Sequence, residues 1–203
     1  MERIDEYLQA LASEAPIPGG GSAATVVAAH GAALVAMVAR ICAANPKRAA
    51  THELAKRLVR EADLARNELL EARSRDESAF ARVVAAQALP RDTDEAKAAR
   101  TSALQASLAG AAYAPLNAAR LGLSVLCLAH EALALENEHL LSDLGCAAEF
   151  ASSAVRACAY NVRINHRYLR DADLVAEQRD ELITIEQRRV SVLADVRSAI
   201  DAS

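Results

Sequence analysis

A small set of polar side chains lies in otherwise apolar helical surroundings, and these residues are the first candidates for chemistry. They are Asp76, Asn137, Ser142, Asp143, Asn161 and Asn165. Burying a carboxylate or an amide without a hydrogen-bonding partner costs free energy, so each of these side chains should have a defined task. Asp76 comes four residues before Phe80, beside an apolar helical stripe, and should lie partly buried or at the edge of a cleft. The structural alternatives are helix capping for Ser142 and Asp143 and bridging between helices for the two later asparagines.

The segment from residue 15 to residue 22 could hold an anion. It reads Ala15, Pro16, Ile17, Pro18, Gly19, Gly20, Gly21 and Ser22. The prolines stiffen the approach, and the glycines allow positive φ angles and let a ligand or another backbone come close. Ser22 is predicted to cap the helix that follows, whose free amides and positive dipole end favour an anion. The alternative is a tight loop between two helices. Because the spacing matches neither a P-loop nor a dinucleotide fingerprint, nucleotide binding is not implied.

A metal site is not expected. Glu136 and His139 form one Glu-x-x-His step, which is the spacing used by carboxylate-bridged di-metal bundles. Such a site needs a second step of this kind and two further glutamates, and no other histidine follows a glutamate at that spacing. The sequence also has no nucleophile elbow and no H-E-x-x-H motif, so the chemistry should depend on carboxylates and amides.

Helical periodicity governs the rest of the chain, and the alternation typical of strands is nearly absent. It predicts about seven helices, at residues 2–13, 22–44, 47–88, 92–113, 116–136, 142–170 and 174–200. Asn45 and Ser142 are expected to cap two of these helices, and Asp92 with Glu95 has the spacing of a capping box. Pro115 is expected to kink the chain or to restart a helix. The predicted fold is an all-α bundle in a single domain covering residues 1–203.

The second helix is expected to lie at the centre of this bundle. Residues 22–39 contain no Asp, Glu, Lys or Arg, which is about the length of a membrane span. The run is mostly alanine, with His30 and Gly31 at its middle, so insertion into lipid would be marginal. A buried Ala-rich helix is therefore predicted. Gly31 and the surrounding alanines should let a second helix pack closely, from this chain or from another subunit.

Composition favours a cytoplasmic protein with an aliphatic core. Hydrophobic residues make up 53% of the 203 residues and aromatic residues 3%. The net charge of −4 offers no basic surface for nucleic acid. The four cysteines show no C-x-x-C spacing and are expected to be small buried hydrophobes in a reducing cytosol. The charged residues at the start are unlike a signal peptide, so no membrane partner is expected.

Several motifs occur together in an order that is similar to a known family. Pro16 to Ser22 is followed by an Ala-rich helix ending in Met37, Val38 and Ala39. The later segments are residues 76–80 (Asp-Glu-Ser-Ala-Phe), 89–93 (Leu-Pro-Arg-Asp-Thr), Arg100, 114–116 (Ala-Pro-Leu), 142–145 (Ser-Asp-Leu-Gly) and 161–165 (Asn-Val-Arg-Ile-Asn). Together they resemble the cyclodeaminase/cyclohydrolase family, which comprises the C-terminal domain of formiminotransferase-cyclodeaminase and its stand-alone bacterial relatives. The resemblance covers nearly the whole chain.

The resemblance implies an all-helical homodimer that acts on one-carbon tetrahydrofolates without a metal or a nucleotide cofactor. It makes Asp76 and Asp143 the acid–base and pterin-orienting carboxylates, in an order left open, because both reactions of the family pass through a tetrahedral carbon. The implied substrate-binding residues are Pro18, Gly19, Gly20, Gly21, Ser22, Asn137, Ser142, Asn161 and Asn165, with Arg100 or Lys47 at the glutamate tail. One departure stands out. The family pattern Gly-Asn-x-Asn is here Glu136, Asn137, Glu138 and His139.

The leading functional hypothesis is methenyltetrahydrofolate cyclohydrolase, which opens the ring of 5,10-methenyltetrahydrofolate to 10-formyltetrahydrofolate. These 203 residues include no formiminotransferase segment that would supply a formimidoyl substrate. The alternative is formimidoyltetrahydrofolate cyclodeaminase, which closes the ring and releases ammonia. A third hypothesis is a non-catalytic helical module that binds folate, and the departures at Glu136 and His139 are the feature that favours it.

Overall fold

The computed structural model describes residues 3–202, and within them the chain is an all-α bundle without strands. The six α-helices are α1 (Ile4–Leu11), α2 (Gly20–Ala44), α3 (His52–Gln87), α4 (Asp94–Ala132), α5 (Leu141–His166) and α6 (Ala172–Asp201). Short 3-10 turns cover Pro46–Thr51, Leu133–Leu135 and Glu138–Leu140. The all-α prediction is confirmed. Glu2, where the first helix was predicted to begin, lies outside the described residues, as do residues 1 and 203 of the predicted domain.

Helix α2 is the buried centre of the bundle, as predicted. It packs against α3, α4 and α5, and its Val35, Val38 and Ala39 are fully buried. A Cβ at Gly31 would lie 2.8 Å from the carbonyl oxygen of Ala147 in α5. The small-residue face therefore receives a helix of the same chain, and this close approach requires glycine at position 31.

Both α2 and α4 are long and apolar enough, by length and composition, to cross a membrane. Half of the residues in each apolar window are buried inside the bundle. Burial of this kind is also typical of the core helices of a globular domain.

Helix α4 is continuous where two helices were predicted to meet, so the described chain has six α-helices rather than about seven. Pro115 lies inside Asp94–Ala132. A proline in a helix removes the N–H that would bond the carbonyl four residues earlier, here that of Ala111. The amide Nδ2 of Asn165 in α5 donates to this carbonyl at 2.8 Å. An external donor replaces the missing bond, and the helix continues past the proline.

Several predicted helix starts were wrong by one to three residues. Gly19 is the N-cap of α2, because the flexible glycines themselves form the first turn and place Ser22 inside the helix. Thr93, rather than Asp92, caps α4, since its side chain accepts from the amide of Ala96 at 3.1 Å. The turn Glu138–Leu140 leads directly into α5, so the helix begins without a side-chain cap and Ser142 lies in its first turn.

The prediction of an Asn45 cap is confirmed, although it caps a short turn rather than a long helix. Its Oδ1 accepts from the amide of Lys47 at 3.0 Å, and α3 begins only at His52. Arg48, inside the turn Pro46–Thr51, has a non-helical backbone (φ −108°, ψ 33°), so the turn itself is kinked.

The four cysteines are all free thiols, in agreement with a structural role, but they are not all buried. Cys42 and Cys158 are buried, and burial raises the pKa of the Cys158 thiol to about 12. Cys127 is half-buried and Cys146 is exposed, so the expectation of four buried cysteines was wrong for these two. Helical periodicity does not place Cys146, which comes one residue after Gly145 at the outer side of α5.

Candidate functional site

A cleft of about 240 Å³ opens where the first turn of α2 meets the middle of α3, the middle of α4 and the last turns of α5. Its lining residues are Pro16, Ile17, Gly19, Gly20, Gly21, Asp76, Glu77, Phe80, Ala111, Asn161 and Asn165. The predicted glycine turn, one predicted aspartate and both predicted asparagines of α5 thus lie together. Four helices are needed to form this cleft, because each contributes only one or two turns.

Asp76 lies directly against the backbone of Gly21. A Cβ at position 21 would be 2.5 Å from each carboxylate oxygen of Asp76, a distance that side-chain atoms do not tolerate. A Cβ at Gly20 would meet the nearest atom of Asn161 at 3.8 Å, an ordinary contact. The described glycines have no positive φ angle. Glycine is therefore needed at position 21 for close approach of the carboxylate, not for an unusual backbone conformation.

The environment of Asp76 suits it to exchange a proton near neutral pH. Burial raises the pKa of its carboxyl to about 6, although the Ser22 amide donates a hydrogen bond that favours the charged form. The neighbouring negative charge of Glu77 raises this pKa further. A general acid or base works best when its pKa lies near the operating pH, and Asp76 meets this condition.

A hydrogen-bonded chain behind the cleft holds Glu77 in place. The hydroxyl of Tyr7 lies 2.9 Å from Ser22 Oγ, and Ser22 Oγ donates to Glu77 Oε1 at 2.7 Å. Arg73 Nε donates to the same Glu77 oxygen at 2.9 Å and stacks over the ring of Tyr7 at 4.2 Å. Ser22 has 0% exposure and does not line the cleft, so it orients Glu77 and Asp76 rather than touching a ligand.

The two asparagines of α5 present acceptors to the cleft. Nδ2 of Asn161 donates to the carbonyl of Ala157 at 3.0 Å, and Nδ2 of Asn165 donates to that of Ala111. A carbonyl can only accept, so these bonds fix which end of each amide is nitrogen. The bridging alternative holds for Asn165, which joins α5 to α4, whereas Asn161 bonds within its own helix. Each Oδ1 is left to accept from an N–H group of a ligand.

Four of the predicted site residues lie at the opposite end of the bundle. Asp143 and Ser142 are in the first turn of α5, about 27 Å from Asn161 at roughly 1.5 Å of rise per residue. Lys47 follows the last turn of α2, and Asn137 Nδ2 contacts Cys42 Sγ at 3.6 Å near that end. One chain therefore does not bring Asp76 and Asp143 to the same cleft.

Of the two remaining predicted residues, one lies beside the cleft and the other lies farther away. Pro18 adjoins the lining residues Ile17 and Gly19. Arg100 lies in the second turn of α4, and its Nε donates to the carbonyl of Gln87, the last residue of α3, at 3.2 Å. Gln87 is about 16 Å from Asp76 along the helix axis. Arg100 therefore lies at the C-terminal end of α3, away from the cleft.

Sequence reasoning missed Glu77, Tyr7 and Ala111. Glu77 follows Asp76 directly and was part of the recognised motif, so its position carried a usable signal. Tyr7 belongs to the first predicted helix, but its hydroxyl partner Ser22 lies 15 residues away and no periodicity predicts that contact. Ala111 acts through its carbonyl, and only its spacing from Pro115 hints at a free acceptor.

Clusters of potential metal ligands are absent from residues 3–202: no three His, Cys, Asp or Glu side chains lie close enough together to hold a metal ion. The single Glu-x-x-His step at Glu136 and His139 gains no further ligand from the fold.

Comparison with known proteins gives a consistent result. The sequence model of the formiminotransferase-cyclodeaminase family matches residues 3–184. A methenyltetrahydrofolate cyclohydrolase of Methylorubrum extorquens is 36% identical over 181 residues, which cover 89% of this chain and 87% of that protein. The formimidoyltransferase-cyclodeaminase of Rattus norvegicus is 29% identical, and the match covers 97% of this chain but 36% of the rat protein.

The fold also has a solved counterpart. The crystal structure of formiminotetrahydrofolate cyclodeaminase from Thermotoga maritima superposes with a TM-score of 0.90 at 23% sequence identity. The match covers 99% of this chain and 96% of the other. The whole helical arrangement is therefore shared, while most side chains differ.

Proposed function

Because this chain belongs to the formiminotransferase-cyclodeaminase family, we propose that it is a methenyltetrahydrofolate cyclohydrolase. The chain is similar to the Methylorubrum cyclohydrolase over most of both sequences, whereas it spans about a third of the bifunctional mammalian relatives. The single structural observation that carries the proposal is the position of Asp76. It lies in an open cleft, against Gly21 and the Ser22 amide in the first turn of α2, with a pKa raised to about 6 by burial.

The substrate is already electrophilic, so the protein needs no covalent nucleophile. The carbon that bridges N5 and N10 of 5,10-methenyltetrahydrofolate belongs to a cationic amidinium group. The carboxylate of Asp76 takes a proton from water as the water oxygen bonds to this carbon, which becomes tetrahedral. Asp76 then gives that proton to N5 as the bond between the carbon and N5 breaks. The hydroxyl proton leaves to solvent, and the formyl group remains on N10.

The surrounding residues bind and orient the cation. The carboxyl groups of Asp76 and Glu77 face the positive charge of the substrate, and the hydrogen bond from Arg73 holds the Glu77 side chain in place. The amide oxygens of Asn161 and Asn165 accept from N–H groups of the pterin ring. Each of these groups is already held by a protein partner, so little reorganisation is needed when the substrate binds.

Asp143 acts in the same reaction only if a second copy of the chain supplies it. The proposal therefore includes a homodimer in which the Asp143 end of one protomer, with Ser142, Asn137 and Lys47, meets the cleft of its partner. Two-fold symmetry makes such a contact reciprocal, so a dimer has two equivalent composite sites. We place the enzyme in the cytoplasm, without a metal or organic cofactor and without a nucleic-acid or membrane partner.

The alternative function is formimidoyltetrahydrofolate cyclodeaminase, which the rat relative favours. An assay with two substrates separates the two activities. Ring opening of 5,10-methenyltetrahydrofolate should be faster than ammonia release from 5-formimidoyltetrahydrofolate, each at saturating substrate. The reverse preference would assign the cyclodeaminase activity instead.

A further inference from the structure

We propose that an apolar cleft beside the candidate active site binds the aminobenzoyl ring of the folate substrate. This inference rests on the proposed function and adds a subsite to it. The cleft lies between the second half of α3, the first half of α4 and the end of α5, and its volume is about 220 Å³. Its apolar lining consists of Phe80, Val83, Leu104, Leu108, Ile164 and Tyr168.

The apolar cleft is continuous with the candidate active site. Phe80 and Asn165 line both, so the two form one groove along α3. At the Asp76 end the groove is polar, with two carboxylates and two amides. Beyond Phe80 it is almost entirely apolar, and Gln87 marks its far end. The chemistry of the groove therefore changes along its length from polar to apolar.

The substrate also changes from polar to apolar along its length. The reacting carbon of 5,10-methenyltetrahydrofolate joins the polar pterin ring to a benzene ring, and a glutamate follows. A reacting carbon at Asp76 places the benzene ring in the apolar cleft when the pterin occupies the polar end. Apolar cavities of about 150 Å³ hold benzene, so this cleft has the room that an aminobenzoyl ring needs.

The far end of the groove carries a cation. Arg100 Nε bonds the carbonyl of Gln87, which brings its guanidinium to the end of the apolar lining. The span from Asp76 to Gln87 is about 16 Å along α3, which suits an extended molecule of pterin, benzoyl and glutamate groups. Arg100 therefore meets the glutamate carboxylates, while Lys47, at the other end of the bundle, is too far away in the same chain.

Exposed apolar side chains line the mouth of the cleft and permit a direct test. Ile164 is 42% exposed and Tyr168 62% exposed, so truncating either should leave the core intact. The helices offer matched controls outside the groove, because Ile183 is 44% exposed and Tyr160 is 59% exposed. Arg82, in a separate groove between α3 and α4, is the control for Arg100.

The experiment measures kcat and KM for two substrates, 5,10-methenyltetrahydrofolate and 5,10-methenyltetrahydropteroate, which lacks the glutamate. Ile164→Ala and Tyr168→Ala should each raise KM about tenfold for both substrates, with kcat within about twofold of wild type. Arg100→Gln should raise KM for the tetrahydrofolate only. Ile183→Ala, Tyr160→Ala and Arg82→Gln should leave both KM values unchanged.

Wild-type KM values in both cleft variants would overturn the subsite, even if the wild-type enzyme is fully active. A wild-type protein that opens neither substrate would instead contradict the proposed function. In that case the subsite is tested separately, by saturation-transfer NMR with p-aminobenzoylglutamate. Saturation of its aromatic protons in wild type, lost in Ile164→Ala and Tyr168→Ala, would support the subsite, and no saturation in wild type would overturn it.

Discussion

The side-chain amide of Asn165 donates to the carbonyl of Ala111, the one carbonyl in α4 that Pro115 leaves without its helical partner. The proline and the asparagine are thus complementary, although 50 positions of sequence separate them. This bond crosses from α5 to α4 at the wall of the cleft. Asn165 also lines the cleft, and because its Nδ2 is engaged, its amide oxygen is available as a hydrogen-bond acceptor.

This complementarity predicts energetic coupling between Asn165 and Pro115. Asn165→Leu should lower the free energy of unfolding by about 1–3 kcal/mol, because it leaves a partly buried carbonyl without a partner. In a Pro115→Ala background the helix can bond that carbonyl itself, so the same substitution should cost less. Urea denaturation of the two single variants and the double variant gives the coupling energy. An additive result would show that Pro115 and Asn165 act independently.

A methyl group at Gly21 should disable the site without unfolding the protein. It would collide with both oxygens of Asp76, so Gly21→Ala should displace that carboxylate and lower kcat/KM about a hundredfold or more. Gly20→Ala is the matched control, since its methyl would make only an ordinary contact with Asn161. Steady-state kinetics measure the effect, and circular dichroism reports the helical content. Equal losses in the two variants would contradict the special role of position 21.

The rate of ring opening should depend on the ionisation of Asp76. Burial raises its pKa to about 6, and only the carboxylate can take a proton from water. After subtraction of the uncatalysed rate, kcat/KM should rise with pH through an apparent pKa of about 6 and level off above it. Asp76→Asn should lower kcat about a hundredfold or more and abolish this rise of kcat/KM with pH. If kcat/KM of Asp76→Asn still rises through the same pKa, another group is responsible for the pH dependence.

Mixed dimers should show whether Asp76 and Asp143 of different protomers share a site. Asp76→Asn and Asp143→Asn homodimers should each be strongly impaired. A dimer with one protomer of each kind, isolated through two different tags, has one site with both substitutions and one with neither. Its activity should recover to about half that of wild type. Activity as low as in the homodimers would show that the sites are not composite.

Glu136 should be replaceable by glycine with a gain in stability. Its backbone is left-handed (φ 53°, ψ 40°), which costs a residue with a Cβ roughly 1–2 kcal/mol. Arg48 Nη1 donates to the carbonyls of Leu135 and Glu136 at 2.6 and 2.9 Å and holds this turn. Glu136→Gly should therefore raise the free energy of unfolding by about 1 kcal/mol. Glu136→Ala, which removes the same charge but keeps the Cβ, should show no such gain.

Much of the fold could be predicted because its signals are local. The absence of charges in residues 22–39 predicted the buried α2, and Gly31 predicted the close approach of another helix. Asp76 was identified because a partly buried carboxylate beside an apolar stripe needs a hydrogen-bonding partner. The predictions of helix ends and caps failed where a residue distant in sequence supplies a hydrogen bond that the local pattern does not reveal. Pro115 ends a helix in isolation, but Asn165 supplies the missing donor. Ser22 prefers a capping position, but Tyr7 and Glu77 engage its hydroxyl inside the helix.

The residues of the candidate site were easier to predict from the sequence than their positions in the fold. Residue types identified three residues that lie together at the cleft, namely Asp76, Asn161 and Asn165. They also identified four residues that lie at the other end of the bundle, namely Asp143, Ser142, Asn137 and Lys47. No local sequence pattern shows which end of one helix lies next to which end of another. That arrangement follows from the lengths of α2 and α5 and from the order in which the helices pack.

Only one side chain of α1, that of Tyr7, is buried, and it is hydrogen-bonded to Ser22 behind the cleft. A domain fused rigidly ahead of Ile4 would therefore exert force on the hydrogen bond between Tyr7 and Ser22, and Ser22 in turn orients Glu77. A purification tag or reporter domain is better placed after α6. A domain fused ahead of α1 would instead test whether a force applied at Tyr7 changes the orientation of Glu77.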